Sequence, residues 1–213
     1  MPSVEHEEIV AMMSGGLGLE SLSVDEQRSA MEASAGLFPV APDVTVSEVD
    51  ARGVQADLVT VEGISEPDRV VLYFHGGGYV MGSRNTHRGL AADIARAARA
   101  RVLVPEYRLA PEHPFPAAVE DATSCWHWLL AEGYSPQHMA IAGDSAGGGL
   151  ALATLLALKA DADPLPACAV CLSPWTDLEG KGPTAEPGAV DDPMLTGEGL
   201  RVSGIQYAGA ELR

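Results

Sequence analysis

Ser145 lies in Gly143-Asp144-Ser145-Ala146-Gly147, a G-x-S-x-G pattern. Met139 to Ala142 before it reads as a strand, and the residues after it as a helix to about Lys159. A strand that turns at once into a helix strains the residue at the turn. Glycine on both flanks lets the two backbones approach. The Ser145 hydroxyl would then stand above the carboxyl edge of a sheet, at a helix N-terminus, placed to attack an acyl carbon. His75-Gly76-Gly77-Gly78 offers the complementary chemistry. Three glycines after a strand can turn backbone N–H groups toward one point. Such donors stabilise the negative oxygen of a tetrahedral intermediate. Gly77 and Gly78 are the main donors expected, with Gly76 beside them, and the N–H of Ala146 would add another. The competing reading, a phosphate loop, lacks a lysine at the required spacing.

A serine nucleophile needs a base for its proton and a carboxylate to orient that base. The histidines are His6, His75, His87, His113, His127 and His138, and all six precede Ser145. His75 belongs to the glycine motif, His87 and His127 fall on predicted helices, and His113 sits among prolines. His138 opens the strand at the end opposite Ser145. None is expected to act as the base. Asp177, Asp191 and Asp192 follow Ser145 but lie beyond the expected core, and none is assigned as the orienting acid.

The elements that must position these groups follow from periodicity. Val44 to Val49 alternates as a strand does, and Val54 to Val61 is a second strand. Arg69 to Phe74 is a continuous apolar run, as expected of a strand covered on both faces. A helix over Thr86 to Ala100 would bury Leu90, Ile94 and Ala97. Val102 to Val104 is the next strand. Pro116 opens a helix whose apolar face holds Val119, Ala122, Trp126 and Leu129. Ala167 to Leu172 reads as a buried strand, and a last helix spans about Thr196 to Gln206. Strand and helix thus alternate from Val70 onward, which predicts an α/β fold with a mostly parallel sheet and helices on both faces. Two short helices, Glu5 to Met13 and Val24 to Ala35, precede it, separated by Gly15-Gly16-Leu17-Gly18. The expected division is helices over 1–42, a core over 43–173 and a further segment over 174–213.

Composition narrows the functions. The chain has 213 residues, 46% apolar and 20% charged, which suits one globular domain. Its net charge is −17, and such a surface repels phosphate backbones, so no nucleic-acid partner is expected. The first fifty residues hold ten acids and one base, a net of −9. No apolar stretch reaches the ~18 residues of a membrane span. The acidic start lacks a basic signal-peptide region, which reads as cytoplasmic. Cys168 and Cys171 form a C-x2-C pair with no second pair to complete a zinc site. They are expected to pack as small apolar groups in a buried strand.

Three segments together resemble a known family. His75-Gly76-Gly77-Gly78-Tyr79, the run from Tyr107 to Asp121 (Y-R-L-A-P-E-H-P-F-P-A-A-V-E-D) and Gly143 to Gly148 are similar to motifs of the hormone-sensitive-lipase-like α/β-hydrolases, the bacterial family IV carboxylesterases. The likeness covers about Val44 to Arg213. It implies an α/β-hydrolase fold with an N-terminal helical cap. It also implies a serine hydrolase of small carboxylic esters, working through an acyl-enzyme at Ser145. The glycines after His75, with Ala146, would form the oxyanion hole, and Tyr79 and Asp144 would lie near the substrate. No metal or organic cofactor is implied. Asp191-Asp192-Pro193-Met194-Leu195-Thr196 is similar to a segment after the family's sixth core strand, within the cap region.

The family places its acid and histidine after two further strands. The chain therefore reads as a C-terminally truncated member, with its last strands and helices missing, and by itself is expected to be nearly inactive. The likeness leaves room for a homodimer in a full-length form. Two alternatives stay open. Plant gibberellin receptors are similar to this family, keep the serine and lack the histidine, so a dead binding module for a small apolar ligand is one. A non-functional fragment is the other.

Overall fold

The computed structural model describes residues 3–13, 22–37, 39–63, 68–190 and 192–209. Six strands form one sheet: β1 (Val44–Asp50), β2 (Gln55–Val61), β3 (Val70–Phe74), β4 (Arg101–Pro105), β5 (Met139–Asp144) and β6 (Cys168–Leu172). Their spatial order is β1-β2-β4-β3-β5-β6. β1 and β2 run antiparallel to their neighbours, and β4, β3, β5 and β6 pair in parallel. The helices are α1 (Val4–Met13), α2 (Val24–Ser34), α3 (Arg88–Ala98), α4 (Ala117–Ala131), α5 (Ser145–Ala160) and α6 (Gly197–Ala208). No helix among the described residues is long and apolar enough to cross a membrane.

The connections decide where a site can form. From β3 the chain passes through α3 to β4 on one side, then through α4 to β5 on the other. The path reverses at the β3–β5 boundary, and in such sheets ligands bind outside the carboxyl ends of the strands at that reversal. All five residues of β3 are buried, as the apolar run from Arg69 predicts. Leu72, Phe74, Leu103 and Ile141 pack with Trp126 and Leu129 of α4 and Leu150 and Leu158 of α5. On the opposite face Val71, Tyr73, Val102 and Val104 pack with Ala91, Ala92 and Ala95 of α3. Each face of the sheet thus has its own apolar layer.

Three sequence expectations need correction. Leu90 is exposed and so is Ala97, with Ile94 only partly covered. The buried stripe of α3 is Ala91, Ala92 and Ala95 instead. Methyl side chains let a helix lie close to a sheet, and the bulkier Leu90 is then turned to its flank. The strand at Ala167 to Leu172 forms as β6 but is not buried: Val170 is 50% and Leu172 43% exposed. β6 is an edge strand, paired only with β5 among the described residues. Cys168 is accordingly exposed and Cys171 half-buried. Residues three apart in a strand point to opposite faces, so the pair does not converge on a shared metal. Pro116 precedes α4 at its N-cap rather than opening its first turn. The glycine breaker at 15–18 lies outside the described residues.

α2 is fixed at both of its levels. Ser23 caps it in a reciprocal box with Glu26, with Ser23 N–H donating to Oε2 at 2.9 Å. Arg28 then reaches the core, donating to the carbonyls of Val80 at 2.8 Å and Ala110 at 2.9 Å and to both oxygens of Glu112. The Arg28 hydrogen bond holds the Glu112 carboxyl down at about 2. A depressed carboxylate contributes stability above its ordinary pKa and loses it as pH falls toward the folded value. Glu112→Gln should therefore lower the melting temperature at pH 6, and the gap to wild type should close between about pH 4.5 and 2. A gap that stays constant over that range would show that the charge pair contributes nothing. Glu112 is half exposed, so the effect is small.

Candidate active site

β5 ends at Asp144 and α5 begins at Ser145 with no residue between them. Ser145 takes the turn at φ +51, in the left-handed region, where an ordinary side chain is strained. Both flanking glycines are required by space. A Cβ at Gly147 would overlap the carbonyl oxygen of Phe74, and one at Gly143 would overlap that of Gly147. The sheet register pairs Phe74 with Gly143, so the loop after β3 emerges beside the elbow.

That loop is shaped by three successive positive φ values: Gly77 at 122, Gly78 at 63 and Tyr79 at 62. The Gly77 carbonyl accepts from the N–H groups of Val80 and Met81 at 3.1 and 3.0 Å, which closes the turn. Among the described residues the N–H groups of Gly77, Gly78 and Ala146 have no hydrogen-bond acceptor. Ala146 is the second residue of α5, where the first N–H groups have no intrahelical partner. Gly76 differs: its N–H donates to Asp144 Oδ1 at 2.9 Å. The donor set that stays open is therefore Gly77, Gly78 and Ala146.

The floor of the loop is apolar and tightly held. The His75 ring stacks on Tyr107 with centroids 4.2 Å apart, and the Tyr107 hydroxyl donates to the His75 carbonyl at 2.7 Å. His75 Nδ1 lies 2.8 Å from the Gly76 carbonyl and, in a neutral ring, donates to it. Burial, with His87 nearby, pushes the His75 pKa down to about 3. His75 is thus a neutral structural ring. Asp144 also accepts from the Tyr73 hydroxyl at 2.7 Å, and His87 Nε2 lies 3.5 Å from the same oxygen. Burial alone would raise the Asp144 carboxyl, but His87, Tyr73 and the Gly76 N–H outweigh it and hold it below its ordinary value.

The remaining histidines are engaged elsewhere or exposed. His127 Nε2 pairs with Asp163 at 2.7 Å and His138 Nδ1 with Asp68 at 2.6 Å. His6 and His113 are exposed. No hydrogen bond joins a histidine to Ser145 among the described residues. Asp177 accepts the Gly182 N–H at 2.6 Å, and Asp192 those of Met194 and Leu195 at 2.9 Å, so both shape local turns. Asp191 lies outside the described residues.

Tyr79 is buried, stacked face to face on Tyr207 of α6 at 3.6 Å and tilted toward Trp175 at 5.9 Å. The Trp175 N–H donates to the Ser145 carbonyl at 2.8 Å. Trp175, which follows β6, thus holds the elbow from the side opposite β3, while α6 packs on Tyr79 of the glycine loop. The proline-rich run from Tyr107 is scaffold: Arg108 closes back onto Asp121 through its backbone N–H at 2.8 Å and its guanidinium at 2.9 Å. Sequence reasoning missed Tyr73, His87 and Trp175 as neighbours of the elbow. Tyr73 reads in the sequence only as one more apolar strand residue, and nothing in its spacing announces that its hydroxyl reaches Asp144.

A family model of the alpha/beta hydrolase fold matches residues 71–213. The chain is 46% identical over 186 residues to an acetyl-hydrolase of Streptomyces hygroscopicus, covering 86% of this chain and 60% of that one. It is 31% identical over 187 residues to an esterase of Acinetobacter venetianus, covering 88% and 61%. A crystal structure of an esterase from the bacterial hormone-sensitive lipase family superposes with a TM-score of 0.91 at 41% identity, over 99% of this chain and 71% of that one. Together these define an α/β-hydrolase, and the chain belongs to the hormone-sensitive-lipase-like family of that fold. It spans about 60% of the length of the curated relatives it matches.

Proposed function

We propose that this chain carries the nucleophile and oxyanion donors of a serine hydrolase acting on small carboxylic esters. The observation that carries the reading is Ser145 at φ +51 on a strand-to-helix turn, beside a glycine loop whose N–H groups at Gly77 and Gly78 have no acceptor among the described residues. Ser145 Oγ attacks the ester carbonyl, and its proton passes to a base. The N–H groups of Gly77, Gly78 and Ala146 stabilise the oxyanion. The carbonyl re-forms and expels the alcohol, which takes up the proton, leaving an acyl-Ser145. Water then repeats the attack and releases the acid. No described histidine of this chain is assigned as the base. The N-terminal helices are read as a cap over the acyl pocket, with Arg28 as its anchor. The relatives named acetyl-hydrolase and esterase support a short acyl group.

The test is reaction of the protein, as its source makes it, with a fluorophosphonate that phosphonylates activated serines. Peptide mapping should place the label on Ser145. Absence of label there, with intact folding, would favour the reading as a binding module.

A further inference from the structure

A cavity opens at the end of the sheet away from Ser145. β3, β4 and β5 start in register there, with Val70 paired to Arg101 on one side and to Met139 on the other. β5 is six residues long, which sets this end roughly 20 Å from the elbow. The cavity measures about 430 Å³, and Leu58, Arg101, Trp128, Glu132, Tyr134 and His138 are among its lining residues. That volume is within the range of small-molecule sites. The turn after α4 builds one wall. Gly133 takes φ +91, and the N–H groups of Gly133 and Tyr134 close back on the carbonyls of Leu130 and Leu129 at 3.1 Å. The reversal brings the Tyr134 side chain to Arg101 at the start of β4.

Arg101 is the group here that lacks a partner. Its Nη1 donates to the Tyr134 hydroxyl at 2.9 Å. That bond holds the side chain and leaves the Nε–Nη2 edge of the guanidinium without an acceptor among the described residues. Five other arginines are half-buried, Arg28, Arg84, Arg88, Arg96 and Arg201, and each pairs with a carboxylate. Arg101 is half-buried too and pairs with none among the described residues. The chain has 30 acids and 13 bases, so a shortage of acids does not explain it. A half-buried cation with an open edge carries a desolvation cost that a bound anion offsets. The open edge presents two parallel N–H donors, the arrangement a carboxylate takes bidentately. The Tyr134 hydroxyl accepts from Arg101 and keeps its own proton for a ligand oxygen. The other lining residues narrow the ligand. Leu58 and Trp128 supply an apolar wall. Asp68 also lines the cavity, but His138 Nδ1 engages it at 2.6 Å. Glu132 has no cation beside it among the described residues, and it repels a second negative charge on the ligand.

We infer that this cavity is a binding site for an organic monocarboxylate with a flat apolar body. The carboxylate lies on the open edge of Arg101, and the body lies against Trp128 and Leu58. A ligand there touches none of Gly77, Gly78, Ser145 and Ala146, so the inference does not rest on the esterase reading.

The probe is 2-naphthoate, a flat monocarboxylate, titrated by calorimetry into the protein as its source makes it. Its dissociation constant should fall below about 1 mM. The neutral 2-naphthamide keeps the rings and should bind at least about tenfold more weakly. So should 2-naphthyl phosphate, a dianion at about pH 8, by at least about threefold. Arg101→Gln should weaken naphthoate at least about tenfold. Glu132→Gln, at an exposed position, should tighten naphthyl phosphate at least about threefold and naphthoate less. That variant decides the placement if circular dichroism shows that Arg101→Gln does not fold. Absence of naphthoate binding below about 1 mM overturns the inference, and so does equal binding of the amide. Unchanged affinity in a folded Arg101→Gln overturns it as well, because naphthoate then sits elsewhere. Naphthyl phosphate bound as tightly as naphthoate overturns the choice of a monoanion. A Glu132→Gln protein that shifts neither ligand overturns the placement beside Glu132.

Discussion

In the protein as its source makes it, Ser145→Ala should lower kcat for ester hydrolysis by about 10⁶-fold while KM stays near the wild-type value. The substitution removes one oxygen and little else. Ser145 holds φ +51, and alanine meets the same Cβ penalty there as serine, so the elbow has no new reason to relax. Its carbonyl still accepts from Trp175, and Gly147 still sits beneath the Phe74 carbonyl. Binding of the ester uses surfaces that the change does not touch. What disappears is the covalent route, and with it any reaction with a fluorophosphonate. Residual turnover of ~10³–10⁴-fold over water would come from binding and the oxyanion donors. The measurement is steady-state hydrolysis of p-nitrophenyl acetate by wild type and variant at matched concentration, with circular dichroism to confirm the fold. Turnover in the variant within tenfold of wild type would remove Ser145 from the reaction.

Much of this site was legible because its chemistry is local in sequence. A strand, a G-x-S-x-G turn and a helix are contiguous, so five residues report their own geometry. The glycines after His75 are equally local. The β-α alternation from Val70 predicted the parallel sheet and both helical layers for the same reason, since each unit declares itself within about a dozen residues. What stayed hidden was set by contacts between elements. Periodicity gave α3 an apolar stripe of Leu90, Ile94 and Ala97, yet the helix approaches the sheet through Ala91, Ala92 and Ala95. Closeness of approach is a property of two surfaces, and one helix does not encode it. β6 reads as buried because its residues are apolar, but burial depends on what lies beyond the edge. Asp144 reads as a pocket residue because it adjoins Ser145, the proposed nucleophile. Its partners, Gly76 and Tyr73, stand 68 and 71 positions earlier, and only the β3–β5 pairing brings them together.

The same kind of long-range contact governs the largest stability effect expected outside the site. Asp57, on β2, is fully buried and is held by two guanidinium groups, Arg84 Nη1 at 2.7 Å and Arg88 Nε at 2.5 Å. Arg84 also reaches Glu48 at 3.2 Å and Glu106 at 3.7 Å. Asp57→Ala leaves two cations facing a hole. Removing one partner of a fully buried pair costs about 3–5 kcal/mol. Arg84 and Arg88 keep 21% and 29% of their side-chain surface in water, and Arg84 can lean on Glu106, so about 2–4 kcal/mol is the expected loss. For a chain of this size that is a fall in melting temperature of roughly 5–15 °C. The damage should centre on the start of α3, because Arg88 is its first residue and follows His87, the neighbour of Asp144. A second variant separates charge from volume. If the cost is uncompensated charge, Asp57→Ala combined with Arg84→Met and Arg88→Met should melt above Asp57→Ala alone, since the two cations facing the hole are then replaced by apolar groups, while Glu48 and Glu106 keep their contact with water. If the cost were lost packing, removing two more long side-chain heads would lower it further. Thermal unfolding of the three proteins at one pH decides between them, and a triple variant less stable than Asp57→Ala would refute the electrostatic account.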